Sequence, residues 1–287
     1  INQLDLESVE LMVGASSALY GPGGMNGTLL MTSKNPFEYQ GFSATAQTGV
    51  MHIGNDYGKE VSPMFEFNAR YAGVIDDKFG FKVAINYLTA DDWQASDFRD
   101  KNNLNDPNST RINNPGYDGV NVYGDDIIVP VNMGDFAEDV AEGVAESEGL
   151  IPGTPEYDQR VAEVIPLYPD QIISRTGWLE RELTQNKAEN FKVNGSLNYR
   201  IKEKVELSLS GTYTFGSAVY TAQNRFSLND FSAYYGKLEL KGKNYFLNGW
   251  MSKENAGDTY DIGGGALQLN ESCKGSELWY TVYIDGY

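Results

Sequence analysis

Residues 191–214 read FKVNGSLNYRIKEKVELSLSGTYT, and their alternation decides the fold. Phe191, Val193, Gly195, Leu197, Tyr199 and Ile201 alternate with Lys192, Asn194, Ser196, Asn198 and Arg200. After Lys202-Glu203-Lys204 the pattern resumes, with Val205, Leu207, Leu209, Gly211 and Tyr213 against Glu206, Ser208, Ser210, Thr212 and Thr214. Strict period 2 on both sides of a short polar break is the mark of an antiparallel hairpin with one apolar and one polar face.

Working outward, Phe42 to Val50, Phe65 to Tyr71 and Phe79 to Tyr87 repeat the alternation, and 231–241 and 244–254 follow it less cleanly. Each run is about 9–13 residues, enough to cross a bilayer at a tilt. Seven such segments predict an all-β chain. The connectors at 74–78, 202–204 and 242–243 are short. Those at 54–60, 94–188, 217–230 and beyond 254 read as long. Short and long connectors alternate strictly along the chain, which is the parity of an outer-membrane barrel with short turns at one rim and long loops at the other. A soluble sandwich gives no reason to sort loop length by end.

Composition agrees. Mean hydropathy is −0.43 and no apolar run is long enough for a transmembrane helix, yet 13% of residues are aromatic and 19 are Tyr. A transmembrane barrel averages out as polar in this way. Cys273 stands alone, so there is no disulfide framework. The one histidine, His52, leaves a Ser-His hydrolase little to work with, and the chain reads as not an enzyme. The start at Ile1 has no leader and the end falls in an aromatic segment, so both ends read as cut.

Residues 91–182 hold 20 Asp+Glu against 6 Lys+Arg, so 6 − 20 = −14 of the total −18 lies there. Such a surface repels phosphate backbones, which argues against nucleic acid. It reads as a solvated outer surface among lipopolysaccharide and divalent cations, or as a Ca²⁺ site with Asp125, Asp126, Asp135, Glu138 and Asp139 as oxygen ligands. Helices are expected at 135–148 and, with Thr154 as N-cap and Pro155 at the first position, at 154–165. The aromatics at strand ends and in loops read as an interfacial girdle, with Trp93, Tyr117, Tyr123 and Trp178 as candidates for stacking on a ligand.

Residues 8–34 add a different signal: Glu10 to Val13, Gly14 to Ser17, Ala18-Leu19-Tyr20-Gly21, Asn26-Gly27, then the apolar strand from Thr28 ending at Lys34. Gly21-Pro22-Gly23-Gly24 is followed by a strand, not by the helix a phosphate loop needs. The stretch resembles the end of the plug domain of TonB-dependent outer-membrane receptors, and the segments after it resemble the first strands of their barrel. Glu10, Gly14, Ser17, Tyr20, Gly21, Asn26 and Gly27 carry the resemblance, while Val13 stands where many members have arginine. The resemblance implies a plug end at 1–35 and a barrel wall at 36–287, about seven of some 22 antiparallel strands, with a large extracellular loop at 94–188. It implies a place in a Gram-negative outer membrane, contact with lipid and lipopolysaccharide, and import of a scarce siderophore, cobalamin, oligosaccharide or peptide driven by TonB through a segment absent here. The other function in view is a receptor-like subunit docking a surface lipoprotein. On this reading Lys192, Asn194, Ser196, Asn198, Arg200 and Glu206, Ser208, Ser210, Thr212 face the plug or water, and Val193, Leu197, Val205 and Leu207 face lipid.

Overall fold

A computed structural model describes residues 2–14, 27–52, 61–125 and 131–287. The chain is mostly antiparallel sheet, and it divides into two compact units. No helix among the described residues is long and apolar enough to cross a membrane.

The first unit comprises Ile1–Trp93, Asn186–Tyr220 and Ser227–Thr259. Its strands are β1 (Leu6–Val13), β2 (Gly27–Ser33), β3 (Gly41–Met51), β4 (Ser62–Ile75), β5 (Phe79–Asp91), β6 (Lys187–Lys202), β7 (Val205–Thr221), β8 (Arg225–Lys241) and β9 (Phe246–Asn255). β1 and β2 form a separate hairpin. The other seven make one sheet in the order β9-β8-β7-β6-β5-β4-β3, so each long strand pairs with its neighbour in sequence. The β4–β5 turn places Asp76 and Asp77 at φ 53° and 51°, the two left-handed positions of a type I′ hairpin turn.

The alternation read from the sequence sets the faces of this sheet. Asn194 pairs with Ala84 and Thr212, and Leu197 with Phe81 and Leu209, so like faces like across three strands. The burial is the reverse of a soluble sheet. Asn194 and Asn198 are each 7% exposed, whereas Leu197 is 49%, Leu209 54% and Phe42 70% exposed. Phe65, Phe67, Tyr71, Val83, Tyr199 and Leu207 are exposed on the same apolar face. Water drives apolar surface inward, so a broad apolar face left open marks an interaction surface.

The second unit comprises Gln94–Gln185, Thr221–Phe226 and Tyr260–Tyr287. It holds α1 (Ala137–Ser147), α2 (Pro155–Val164), the single turn α3 (Glu180–Leu183), α4 (Ile262–Cys273) and α5 (Ser276–Asp285). Its core is ordinary: Met133, Ile173 and Ile284 are buried against Val131, Val140, Tyr168, Tyr280 and Tyr283. α1 buries Ala137, Ala141 and Ala145, one helical stripe at spacing four. Thr154 caps α2 by accepting from the Tyr157 N–H at 3.4 Å, with Pro155 at the first position.

Three sequence expectations are corrected. The connector at 217–230 is not long, since β7 runs to Thr221 and β8 begins at Arg225. The connectors at 203–204, 222–224 and 242–245 are thus short three times in a row, and the expected alternation of short and long connectors fails from β6 to β9. Residues after 254 do not form an open loop but carry α4 and α5. The Gly263-Gly264-Gly265 run lowers the helix propensity of α4, yet Asp261 caps it by accepting from the Gly264 N–H at 2.6 Å. In α5 the β-forming aromatics are overridden by a Trp279–Tyr283 stack at 5.3 Å, one turn apart.

Candidate functional site: the polar face of the sheet

Three neighbouring strands build a cradle on the polar face. Arg70 on β4 and Asn194 on β6 both pair with Ala84 on β5, so they flank a small side chain in one cross-strand row. Lys82 lies in the adjacent row between Ala72 and Ser196. Ala72 and Ala84 are themselves buried, and their short side chains leave room above the sheet for a group from another segment.

Asp5 fills that room. It lies in a 3-10 turn, Gln3–Asp5, capped by Asn2, whose side-chain oxygen accepts from the Leu4 N–H at 2.8 Å. The Asp5 carboxylate is 0% exposed. It accepts from Arg70 Nε at 2.8 Å, from Lys82 Nζ at 2.8 and 3.1 Å, and from Asn194 Nδ2 at 3.1 Å. Burying a carboxylate is tolerable only with such partners, and removing one side of a buried pair typically costs about 3–5 kcal/mol.

The same two cations hold a second piece of chain. Lys82 Nζ donates to the Lys34 carbonyl at 2.6 Å and Arg70 Nη1 to the Tyr39 carbonyl at 3.0 Å. Lys34 ties the two pieces together, its N–H donating to the Asp5 carbonyl and its Nζ to the Leu4 carbonyl. Further along, Pro36 is buried over Gly80, where an added Cβ would lie 3.0 Å from Pro36 Cγ. Arg200 sits over the Phe37 ring at 3.8 Å, and Asn35 donates to Glu206. Asn68 and Asn86 both donate to Glu66, extending the polar ladder. The expected inward row of Asn194, Ser196 and Asn198 thus lies under residues 2–5 and 34–39 or in their hydrogen-bonded surround, with Ser196 donating to Asn198.

The residues that carried the plug resemblance are distributed otherwise. Glu10 is exposed on β1, and Gly14 and Gly27 adopt φ 95° and 154°. Ser17, Tyr20, Gly21 and Asn26 lie outside the described residues. Asp5, the residue with the densest polar contacts here, had no sequence signal beyond being an acid beside an apolar strand.

In the second unit Tyr117 is buried, and Tyr123 and Trp178 are half-buried. The Tyr117 hydroxyl donates to the Phe98 carbonyl, and burial first, then nearby acids, raises its pKa. Trp178 pairs with Tyr123 across a two-residue ladder and donates from Nε1 to Asn270 at 2.8 Å. Trp93, in the first unit, is exposed. A cleft of about 560 Å³ is lined by Tyr123, Arg225, Lys101, Asn121, Gln223 and Asp261 among others. Behind it the buried Glu180 carboxylate is gripped by Arg225 through both Nε and Nη2 and accepts from the Tyr123 hydroxyl and the Ala95 N–H. Burial, and next the Glu180 charge, push the Tyr123 phenol up to about 12.

Of the acids proposed for Ca²⁺, Asp125 is buried and accepts from the Gly119 N–H at 3.0 Å. Asp135, Glu138 and Asp139 are exposed around the start of α1, and Asp126 lies outside the described residues. No group of three or more metal-binding side chains is assembled among the described residues. His52 and Cys273 are both exposed.

No family model, no curated protein and no solved structure matches the chain.

Proposed function

We propose that the chain is a wall-and-plug portion of an outer-membrane import receptor. The carrying observation is the inverted sheet: apolar side chains open on one face, polar side chains buried under residues 2–5 and 34–39 on the other. That is the order a barrel wall needs, with lipid outside and a wet, plugged lumen inside. β3 and β9 are the two ends of the sheet, and every residue of β9 is exposed. Further strands would close it, about 22 in all for a lumen wide enough to hold a plug. On this reading TonB draws on the plug, a scarce siderophore, cobalamin, oligosaccharide or peptide passes, and no bond is made or broken.

Spin labels test the orientation. In membranes from a Gram-negative host, labels at Leu197 and Leu209 should meet dissolved oxygen and be shielded from a nickel chelate, with the opposite result at Lys192. Equal nickel access on both faces would overturn the membrane reading. Collapse of the proton gradient should abolish ligand accumulation.

The second reading, a receptor-like subunit that docks a surface lipoprotein, is favoured by one observation. The Gln94–Gln185 stretch belongs to a unit with its own hydrophobic core, more than a simple pore mouth needs. Uptake indifferent to the proton gradient, together with a co-purifying lipoprotein, would select it.

A further inference from the structure

We infer that Asp5 is a release pin: loss of its contact with the sheet frees the N-terminal segment as a folded unit, without unravelling the β1–β2 hairpin. The inference takes from the import reading only the reason such a segment would move.

The contacts fall into two sets. Those that hold the segment to itself do not involve the sheet: the β1–β2 ladder, and Lys34 bonded to the carbonyls of Leu4 and Asp5. Others hold it to the sheet. Asn2 donates to the Ile85 carbonyl, Asn35 donates to Glu206, Pro36 and Phe37 lie over Gly80, and Arg200 sits over the Phe37 ring. The charged contacts, which bury the Asp5 carboxylate, converge. Arg70, Lys82 and Asn194, from three adjacent strands, all meet on the one Asp5 carboxylate. Arg70 Nη1 and Lys82 Nζ also donate to the carbonyls of Tyr39 and Lys34, at the far end of the same segment. Both ends are therefore fastened at one place, and two cations depend on a single acid. Removing its charge unfastens three side chains together and leaves buried cations repelling each other. The hairpin beyond has no such dependence, since Val9, Leu11 and Val13 on β1 are exposed.

The test uses the full chain in detergent, with the exposed Cys273 changed to Ser and the buried Ser196 on the polar face changed to Cys. Asp5→Asn should raise the rate of maleimide labelling at position 196 at least tenfold, while amide exchange across β1 and β2 stays at its starting rate. Gly80→Ala presses on Pro36 without touching the charges, and should raise labelling by a smaller factor. Amide exchange across β6 and β7, unchanged in both variants, shows that the sheet has folded. Unchanged labelling in Asp5→Asn overturns the pin, and so does labelling that rises together with hairpin exchange. Labelling in detergent does not depend on transport, so loss of the import reading would leave this result standing, and the reverse.

Discussion

The two units of this chain solve burial in opposite ways. The first covers its polar face and leaves its apolar face open, with Asn194 inside and Leu197 outside. The second does what a water-soluble domain does: Met133, Ile173 and Ile284 are inside, and acids such as Glu138, Asp139 and Glu142 line the outside of α1. One chain in one solvent has little reason to do both. The proposed import reading would supply two solvents, lipid against the sheet and water around the acidic unit. The contrast also separates what charge does in each. In the sheet unit, charge is concentrated where chain segments meet, at Asp5, Arg70 and Lys82. In the acidic unit most charge is solvated, and pairs such as Arg160–Glu148 are exposed enough to contribute little.

The largest effect expected from breaking this contrast is on the open apolar face. Leu197→Arg with Leu209→Arg places two cations where lipid is proposed. At about 2–4 kcal/mol each near a bilayer midplane, the pair should abolish recovery of folded protein from the outer-membrane fraction. If the sheet instead faces water, both positions are exposed enough for Arg to be nearly neutral, and yield will hold or improve. Heat-modifiable migration on gels reads the outcome.

The next effect lies in the acidic unit. Glu180→Gln leaves the Arg225 guanidinium largely buried without its carboxylate. The loss should be about 3–5 kcal/mol of the unit's stability, read as the denaturant midpoint of tryptophan fluorescence. Glu180→Gln combined with Arg225→Met should recover much of it, because the uncompensated charge is then gone.

How much of this was legible beforehand follows from the same contrast. Period 2 in 191–214 is written by the requirement that each strand of the sheet have two unlike faces, so strands and their faces could be read. Which face is covered is not written there, because alternation is the same in a soluble sheet and a barrel wall. The strand ends were lost at 217–230, where Ser217, Ala218 and Ser227 give weak alternation and cross-strand pairing extends both strands regardless. α5 was hidden because Trp279, Tyr280 and Tyr283 favour strands locally, and only the stack and the packing of Ile284 decide for helix. Asp5 was hidden for a deeper reason. Its partners stand 65, 77 and 189 positions away, and no local pattern signals a contact of that separation. The Ca²⁺ candidates drew on acid density alone, a signal that does not distinguish exposed acids such as Asp135, Glu138 and Asp139 from the buried Asp125.

A smaller effect is expected from acid. Asp100 is buried; burial raises its pKa, but donors from Ser109, the Asn102 N–H and Asn114 outweigh this and hold it below the usual carboxylate range. A depressed folded pKa gives stability that is full above the unfolded value, about 3.9. It is lost as pH falls through the folded value. The acidic unit should therefore begin to loosen only below about pH 4. In Asp100→Asn this part of the acid dependence should vanish, at a cost near pH 7 of about 1–3 kcal/mol for the disturbed network. Near-ultraviolet circular dichroism followed from pH 6 to pH 2 reads it.

The smallest effect isolates a single proton. Tyr123 ionises at about 12 because its phenol is buried beside Glu180, and Arg225 only partly offsets that. For an acid whose folded pKa is raised, the contribution to stability is full below the unfolded value of about 10 and is lost as pH rises through 12. Nothing should change near neutrality, which makes Tyr123 a probe that does not disturb what it measures. Absorbance at 295 nm should show the same number of tyrosines titrating near pH 10 as in Tyr123→Phe, the extra one appearing only toward pH 12. In Glu180→Gln that tyrosine should move down toward the ordinary range, since the adjacent negative charge has gone while most of the burial remains. A Tyr123 that titrates with the exposed tyrosines in the unaltered protein would mean the Glu180 cluster is open to water. The acidic unit would then lack the dry interior that sets it against the sheet.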